Sequence, residues 1–311
     1  TCCWGATMPT SSSESHAPGI GGLGYVLLQA CDLEAWRGFG TSVVGAMEVA
    51  MPGQCLGLKI DEHPYRVLVT QGDADRLLAM GWEMRSPEEL AAMRARLESK
   101  GLEILERSPE EAALRCVESL FAVKDPLGND VEFYHGRTGC GGAFASPIGV
   151  PGFVTEGMGL GHLVLAAAGA EQAAYTFYRD TLGLGDSDTL TLPPMAEGYP
   201  PIQVNFLHAD NPRHHSLALC NLPSPSGVMH LMVELPSVDE VGRCHDRTLA
   251  GGWSLMASLG RHCNDNMFSF YVKGPGGITL EIGSEGRQMD WSTVEPTVST
   301  IPDYWGHAYQ F

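Results

Sequence analysis

The chain repeats itself. Gly22-Leu-Gly-Tyr25-Val-Leu27 near the start matches Gly159-Leu-Gly-His162-Leu-Val164 past the middle. Both runs read as strands. Each leads into residues whose apolar positions recur three and four apart, from Asp32 to Phe39 and from Ala170 to Tyr178, the spacing of a helix buried on one face. The later parts match as well: Asp125-Pro-Leu-Gly-Asn-Asp-Val-Glu132-Phe133 parallels Gly274-Pro-Gly-Gly-Ile-Thr-Leu-Glu281-Ile282. Each is a Pro-Gly turn entering a strand that carries one glutamate. Two more helix starts precede them. Ser86-Pro87-Glu-Glu-Leu90 has a capping serine and a proline at the first helical position, and Ser237-Val-Asp-Glu-Val241 opens the other helix. Each half therefore holds two units of strand, helix and several strands. Such self-similarity confines the fold to repeated α+β units that bury their faces against one another.

A Gly- and Pro-rich stretch separates the halves. The expected organisation is a tail over 1–18, disordered or artefactual, an N-terminal domain without chemistry over 19–136 and a linker over 137–157. A C-terminal catalytic domain over 158–290 follows, then a closing tail over 291–311 that packs near the active site. Translation is expected to start at Met8, which follows seven residues and opens a Ser-rich run. The formal net charge of −18 leaves no basic stripe for a phosphate backbone, which excludes nucleic acid as a partner. No apolar run approaches a membrane span and no signal-peptide pattern opens the chain. The nine cysteines are scattered, with no Cys-x-x-Cys pair, which reads as reduced thiols in the cytoplasm.

The halves differ in chemistry. Eight of the eleven histidines lie beyond the linker. Where the second half has His162 the first has Tyr25, and no histidine near Tyr65-Arg-Val-Leu68 answers His230, while Glu132 answers Glu281. His162 and His230 open their units and Glu281 lies on a closing strand. Two imidazoles and a carboxylate are the protein share of a facial triad, which suits Fe(II), with Mn(II) as the second choice, better than a closed zinc site. Either histidine alone would more often be a satisfied core residue. Beside them, Arg213-His-His215-Ser-Leu-Ala218 reads as a turn entering a strand. Alternation there groups His215 with Leu217 and Leu219 on one face and His214 with Ala218 on the other, so that one histidine enters a given pocket. Gly260-Arg-His262-Cys-Asn264-Asp265-Asn-Met-Phe-Ser-Phe-Tyr271 is a polar loop running into an apolar strand, dense enough in hydrogen-bonding groups to rim a pocket.

These motifs, with His230-Leu-Met-Val-Glu234, Leu280-Glu281-Ile-Gly283 and the closing Pro302-Asp-Tyr-Trp-Gly-His307, resemble the type I extradiol catechol dioxygenases of the vicinal oxygen chelate superfamily. The branch acting on 2,3-dihydroxybiphenyl and 1,2-dihydroxynaphthalene is the most similar. The likeness spans about residues 20–308 and is weaker in the first half. It implies four βαβββ modules paired into two domains, each a curved open β-barrel with flanking helices. It further implies ring cleavage beside the diol of an aromatic substrate, with both atoms of O2 incorporated, in aromatic-compound degradation. On this likeness His162, His230 and Glu281 hold iron, and His215 is the acid/base group with His262 and Tyr271 beside it. Asn264 and Asp265 contact substrate, with Val164 and Phe206 as apolar wall. Asn266 departs from the family, which often has histidine there. Family members assemble as homo-oligomers. The alternatives are a glyoxalase- or epimerase-type enzyme of the same architecture and a non-catalytic aromatic-binding protein.

Overall fold

The computed structural model describes residues 19–139 and 142–310, so the expected tail over 1–18 lies outside the described residues. In the first half the strands are β1 (Ile20–Ala30), β2 (Met47–Ala50), β3 (Cys55–Lys59), β4 (Val67–Gln71), β5 (Arg76–Met84), β6 (Leu105–Glu106), β7 (Val117–Lys124) and β8 (Asp130–Arg137). Helix α1 (Leu33–Gly38) follows β1, α2 (Pro87–Ser99) follows β5, and α3 (Pro109–Arg115) lies between β6 and β7. In the second half β9 (His162–Ala166) precedes α4 (Glu171–Tyr175), then β10 (Gly185–Leu192), β11 (Ile202–His208) and β12 (Leu217–Cys220). The last unit is β13 (Val228–Glu234), α5 (Val238–Ala250), β14 (Leu255–His262), β15 (Phe268–Lys273) and β16 (Thr279–Ser284), with β17 (Thr297–Ser299) and β18 (Asp303–Gly306) beyond it.

The strand orders show the repeat. The first sheet runs β2-β3-β4-β1-β5-β8-β7-β6 and the second β17-β10-β11-β12-β9-β13-β16-β15-β14-β18. Within every unit the first strand pairs in parallel with the last: β1 with β4, β5 with β8, β9 with β12 and β13 with β16. Two units join through antiparallel first strands, β1 with β5 and β9 with β13. The result is four βαβββ units forming two curled, mixed sheets with few helices. The second unit adds α3, whose Ser108 and Glu111 form a reciprocal capping box.

Helix starts follow local chemistry. Asp32, Ser86 and Ser237 each accept a backbone N–H of the first turn. The ends of the two shorter helices differ from the simple helical periods of the sequence: α1 continues as a π-helical turn over Phe39–Val44 and α4 over Thr176–Leu182. A widened turn shifts side chains off the period of an α-helix, which periodicity does not register.

One core cluster runs through both halves, from Trp82 and Phe133 to Leu163 and Phe270, and the helices press Trp36, Met93, Tyr178 and Val241 into it. Each side chain of this size stabilises by roughly 1.5–3 kcal/mol when fully buried. A smaller cluster sits apart in each half. In the second it is Val164, Ala218 and Cys220. In the first it includes Tyr25, Tyr65, Ala79 and Tyr134. There the ring of Tyr25 lies over Gly81, where a Cβ would come within 2.3 Å of it. Glu132, fully buried, takes a 2.6 Å bond from the Tyr25 hydroxyl and bonds of 2.8 and 3.1 Å from Arg115. The position answering His230 is also corrected. His230 pairs with Val164, and the equivalent Leu27 pairs with Ala79 on β5, not with the Tyr65–Leu68 region, which leads into β4 beyond β1. Among the described residues no helix is long and apolar enough to cross a membrane.

Candidate metal centre

Three adjacent strands build the site. Just before β9, Gly161 comes so close to β13 that a Cβ would lie 2.0 Å from the Met232 carbonyl oxygen, so the strand approach requires glycine. His162 then stands opposite Met232, and Glu281 stands opposite the same residue from β16. His230, two residues earlier on β13, shares that face. The structure thereby brings together three residues far apart in sequence. Nε2 of His162 is 3.1 Å from Nε2 of His230 and 3.1 Å from Oε2 of Glu281, and His230 Nε2 is 3.2 Å from that oxygen.

The triangle fits a metal ion. Ligand atoms each about 2.1 Å from one cation stand about 3.0 Å apart at right angles and about 3.4 Å apart in a tetrahedron. Edges of 3.1–3.2 Å match one face of an octahedron, which leaves further positions for small molecules. The protonation states also suit it. Burial chiefly pushes His162 down to about 4, against the pull of Glu281. Burial works to raise Glu281, but His162, His230 and His262 outweigh it and hold the carboxyl well below its usual range. A neutral imidazole and an ionised carboxylate are the ligand forms a metal needs. Ser269 Oγ donates a 2.6 Å bond to Oε1 of Glu281 and so orients it.

The triad forms the floor of a cavity of about 260 Å³ whose walls include Val164, Leu190, Ile202, Val204, Phe206 and Met229. His215 enters this cavity and His214 does not. The reason differs from the strand alternation read in the sequence. β12 begins only at Leu217, so His215 sits on irregular chain. Ala218 and Cys220 face the pocket while Leu217 and Leu219 face the core. The His215 ring lies 4.0 Å from that of His162 and 4.8 Å from that of Phe206, and its Nδ1 is 3.1 Å from Nδ1 of His214. Burial first, then His162 and His214, keep His215 well below the ordinary imidazole value, so it is neutral.

Across the cavity His262 Nε2 is 2.7 Å from the Tyr271 hydroxyl and 3.3 Å from Glu281 Oε1. Burial opposes a charge on His262, yet Asp303 and Glu281 raise it well above its ordinary value. Burial, followed by Glu281, keeps the Tyr271 phenol protonated. Asn264 and Asp265 both line the cavity. Asn264 Oδ1 accepts the Asp265 amide at 2.8 Å, and Asp265 Oδ1 accepts the Met267 amide at 2.9 Å. Asp265 Oδ2 stands 3.9 Å from His215 Nδ1. Asn266, between them, adopts a left-handed φ of 62° that asparagine tolerates. Sequence reasoning missed Ser269, Asp303, Tyr309 and, apart from Phe206, the walls on β10 and β11. The closing tail was expected near the active site, but nothing local showed that its Asp303 and His307 meet His262 and Ser269.

A two-histidine, one-carboxylate cluster on a barrel of paired βαβββ units defines a vicinal oxygen chelate protein. Residues 159–282 match the glyoxalase/bleomycin resistance protein/dioxygenase superfamily, and residues 23–72 match the first domain of dihydroxybiphenyl dioxygenase. An iron-dependent extradiol dioxygenase of Rhodococcus jostii (strain RHA1) is 40% identical over 93% of this chain and 97% of its own length. A biphenyl-2,3-diol 1,2-dioxygenase of Paraburkholderia xenovorans (strain LB400) is 35% identical over 93% and 95%. The crystal structure of a halotolerant catechol dioxygenase superposes with a TM-score of 0.86 at 29% identity, over 94% of this chain and 96% of that one. The chain belongs to the extradiol dioxygenases of this superfamily.

Proposed function

We propose that this protein cleaves the ring of an aromatic vicinal diol beside its two hydroxyls, using Fe(II) and incorporating both atoms of O2. The observation that carries this reading is the triangle of His162, His230 and Glu281, with edges of 3.1–3.2 Å, at the floor of an apolar cavity. Those three residues would hold the iron. When bound, iron supplies a Lewis acid that makes the diol easier to deprotonate and a path for its electrons to dioxygen.

The other roles belong to the chain itself. Neutral His215 accepts a proton at a ring nitrogen and returns it when the O–O bond breaks. Tyr271 and His262 offer hydrogen bonds to the diol oxygen on the opposite side. Asn264 and Asp265 position the loop at the rim and line the substrate space. Val164 and Phe206 hold the carbon skeleton and exclude water, which strengthens every electrostatic contact inside. The apolar wall and the cavity volume favour a biaryl or bicyclic diol such as 2,3-dihydroxybiphenyl or 1,2-dihydroxynaphthalene. In this division of labour residues 19–136 are scaffold, 137–157 link the halves, 158–290 carry the chemistry and 291–311 close the site. The Glu132–Arg115 pair supports the scaffold role, since a guanidinium fills the place opposite the glutamate.

A cytoplasmic, homo-oligomeric enzyme completes the reading. Among the described residues Cys31, Cys55, Cys220, Cys244 and Cys263 are free thiols, which suits a reducing compartment. Val298, Tyr304 and Trp305 on the outer strands and Ile301 between them are exposed apolar groups, available to a second copy. Light scattering tests the assembly. The activity is tested by anaerobic purification with iron quantified, followed by incubation with 2,3-dihydroxybiphenyl with and without oxygen. A yellow product that needs both iron and oxygen supports the proposal, and an unchanged diol in iron-loaded, aerated protein removes it.

A further inference from the structure

We propose that Asp303, on the last strand, is a positioning residue that fixes the ring of His262 and through it the hydroxyl of Tyr271, so that the C-terminal segment completes the hydrogen-bonding wall of the metal pocket. The inference deepens the functional reading above and rests on it.

The topology brings the segment there. β17 pairs with β10 and β18 pairs with β14, which are opposite flanks of the second sheet. Residues 297–306 therefore run from one flank to the other, and Pro302 and Tyr309 line the cavity. On that route Asp303 Oδ1 comes 2.7 Å from Nδ1 of His262 and 2.5 Å from Nδ1 of His307. His307, fully buried at its side chain, brings Nε2 to 3.2 Å from Ser269 Oγ, the group that donates to Glu281. A ring of close contacts results, running Glu281, His262, Asp303, His307, Ser269 and back to Glu281.

His262, Asp303 and His307 could instead hold a second metal ion. The lengths decide against it. Ligand atoms of one cation stand about 3.0 Å apart or more, whereas 2.7 Å from His262 is the length of a charge-assisted hydrogen bond and 2.5 Å from His307 is shorter still. Each ring thus carries a hydrogen on Nδ1 and donates it to the carboxylate. With Nδ1 committed, His262 has only Nε2 for the pocket, and that atom is the one 2.7 Å from the Tyr271 hydroxyl. The Pro302 carbonyl lies 3.3 Å from the same Nδ1, a longer and uncharged alternative. Removing the carboxylate frees the ring to turn or to lose its Nδ1 hydrogen, and the Tyr271 hydroxyl then loses its fixed partner.

The test compares the full-length wild type with Asp303→Ala and Asp303→Asn. Iron-loaded proteins are assayed for kcat, KM and iron content with 2,3-dihydroxybiphenyl. Metal-free proteins carrying isotope-labelled histidine are examined by NMR for the hydrogen-bearing nitrogen of His262. Asp303→Ala is expected to lower kcat about 10- to 100-fold, the usual cost of losing a partner that orients a site residue, with iron content unchanged. Asp303→Asn accepts the same bonds without charge and is expected to lose less. Wild-type His262 should show its hydrogen on Nδ1, and the Ala variant should not. Unchanged kcat in Asp303→Ala, or identical His262 spectra in the two proteins, overturns the proposal. So does a second metal ion per chain that Asp303→Ala fails to bind. If the wild type cleaves no diol the functional reading fails, while the metal-free spectra still decide the role of Asp303.

Discussion

Glu281→Ala removes one vertex of the metal triangle. Glu281 is 1% exposed, and its two oxygens meet His162 and His230 on one side and Ser269 and His262 on the other. The variant leaves two imidazoles, with no carboxylate charge, to hold a dication. Breaking a buried charge pair by deleting one partner costs about 3–5 kcal/mol. At about 1.4 kcal/mol per tenfold, iron affinity should fall about 10²- to 10⁴-fold. Anaerobic titration with Fe(II), read by metal analysis after gel filtration, measures this directly, and circular dichroism of the same samples separates ligand loss from unfolding. Glu281→Gln keeps the shape and removes the charge, so it should also lose affinity. A folded Glu281→Ala protein with wild-type iron content would refute the assignment of the triad.

Further outcomes follow from the same geometry. His215→Phe should keep iron but lose turnover by roughly 10²–10⁴-fold, and steady-state kinetics near wild type would remove His215 from the chemistry. Val164→Phe adds bulk at a buried cavity wall, so kcat/KM for 2,3-dihydroxybiphenyl should fall relative to that for 3-methylcatechol; an unchanged ratio would take Val164 out of the substrate space. Glu83 is drawn down from 4.5 to about 2, where burial alone would raise it but His63 and Arg137 prevail. Its folded value lies below its unfolded one, so its stabilisation is complete above pH 4.5 and is lost as pH falls toward about 2. Denaturant midpoints of Glu83→Gln should therefore converge on those of wild type across that window, and a constant gap would contradict the ion pair as its source.

Much of the fold was legible because the repeat is written in local signals. Glycine-flanked apolar runs, serine caps and Pro-Gly turns each specify backbone conformation over a few residues, and their recurrence specifies the units. The triad was legible for the same reason: His162, His230 and Glu281 occupy matching ends of recurring strands. What escaped depended on chain geometry that no short window encodes. His215 enters the pocket as expected, but its grouping with Leu217 and Leu219 failed because β12 starts only at Leu217. The position answering His230 was sought near Tyr65 because pairing order, not spacing, decides that Ala79 stands there. Arg115, which fills the first half's equivalent site, ends a helix that interrupts the βαβββ pattern. Asp303 and His307 reach His262 and Ser269 behind the pocket only because β17 and β18 bind opposite flanks of the sheet.

The most direct test of the central claim is mass analysis of the product formed by iron-loaded protein from 2,3-dihydroxybiphenyl under isotopically heavy dioxygen. The account predicts a ring-opened yellow product that carries both heavy oxygen atoms, with one O2 consumed per diol. A product carrying one heavy atom or none, or a diol recovered intact, would contradict it.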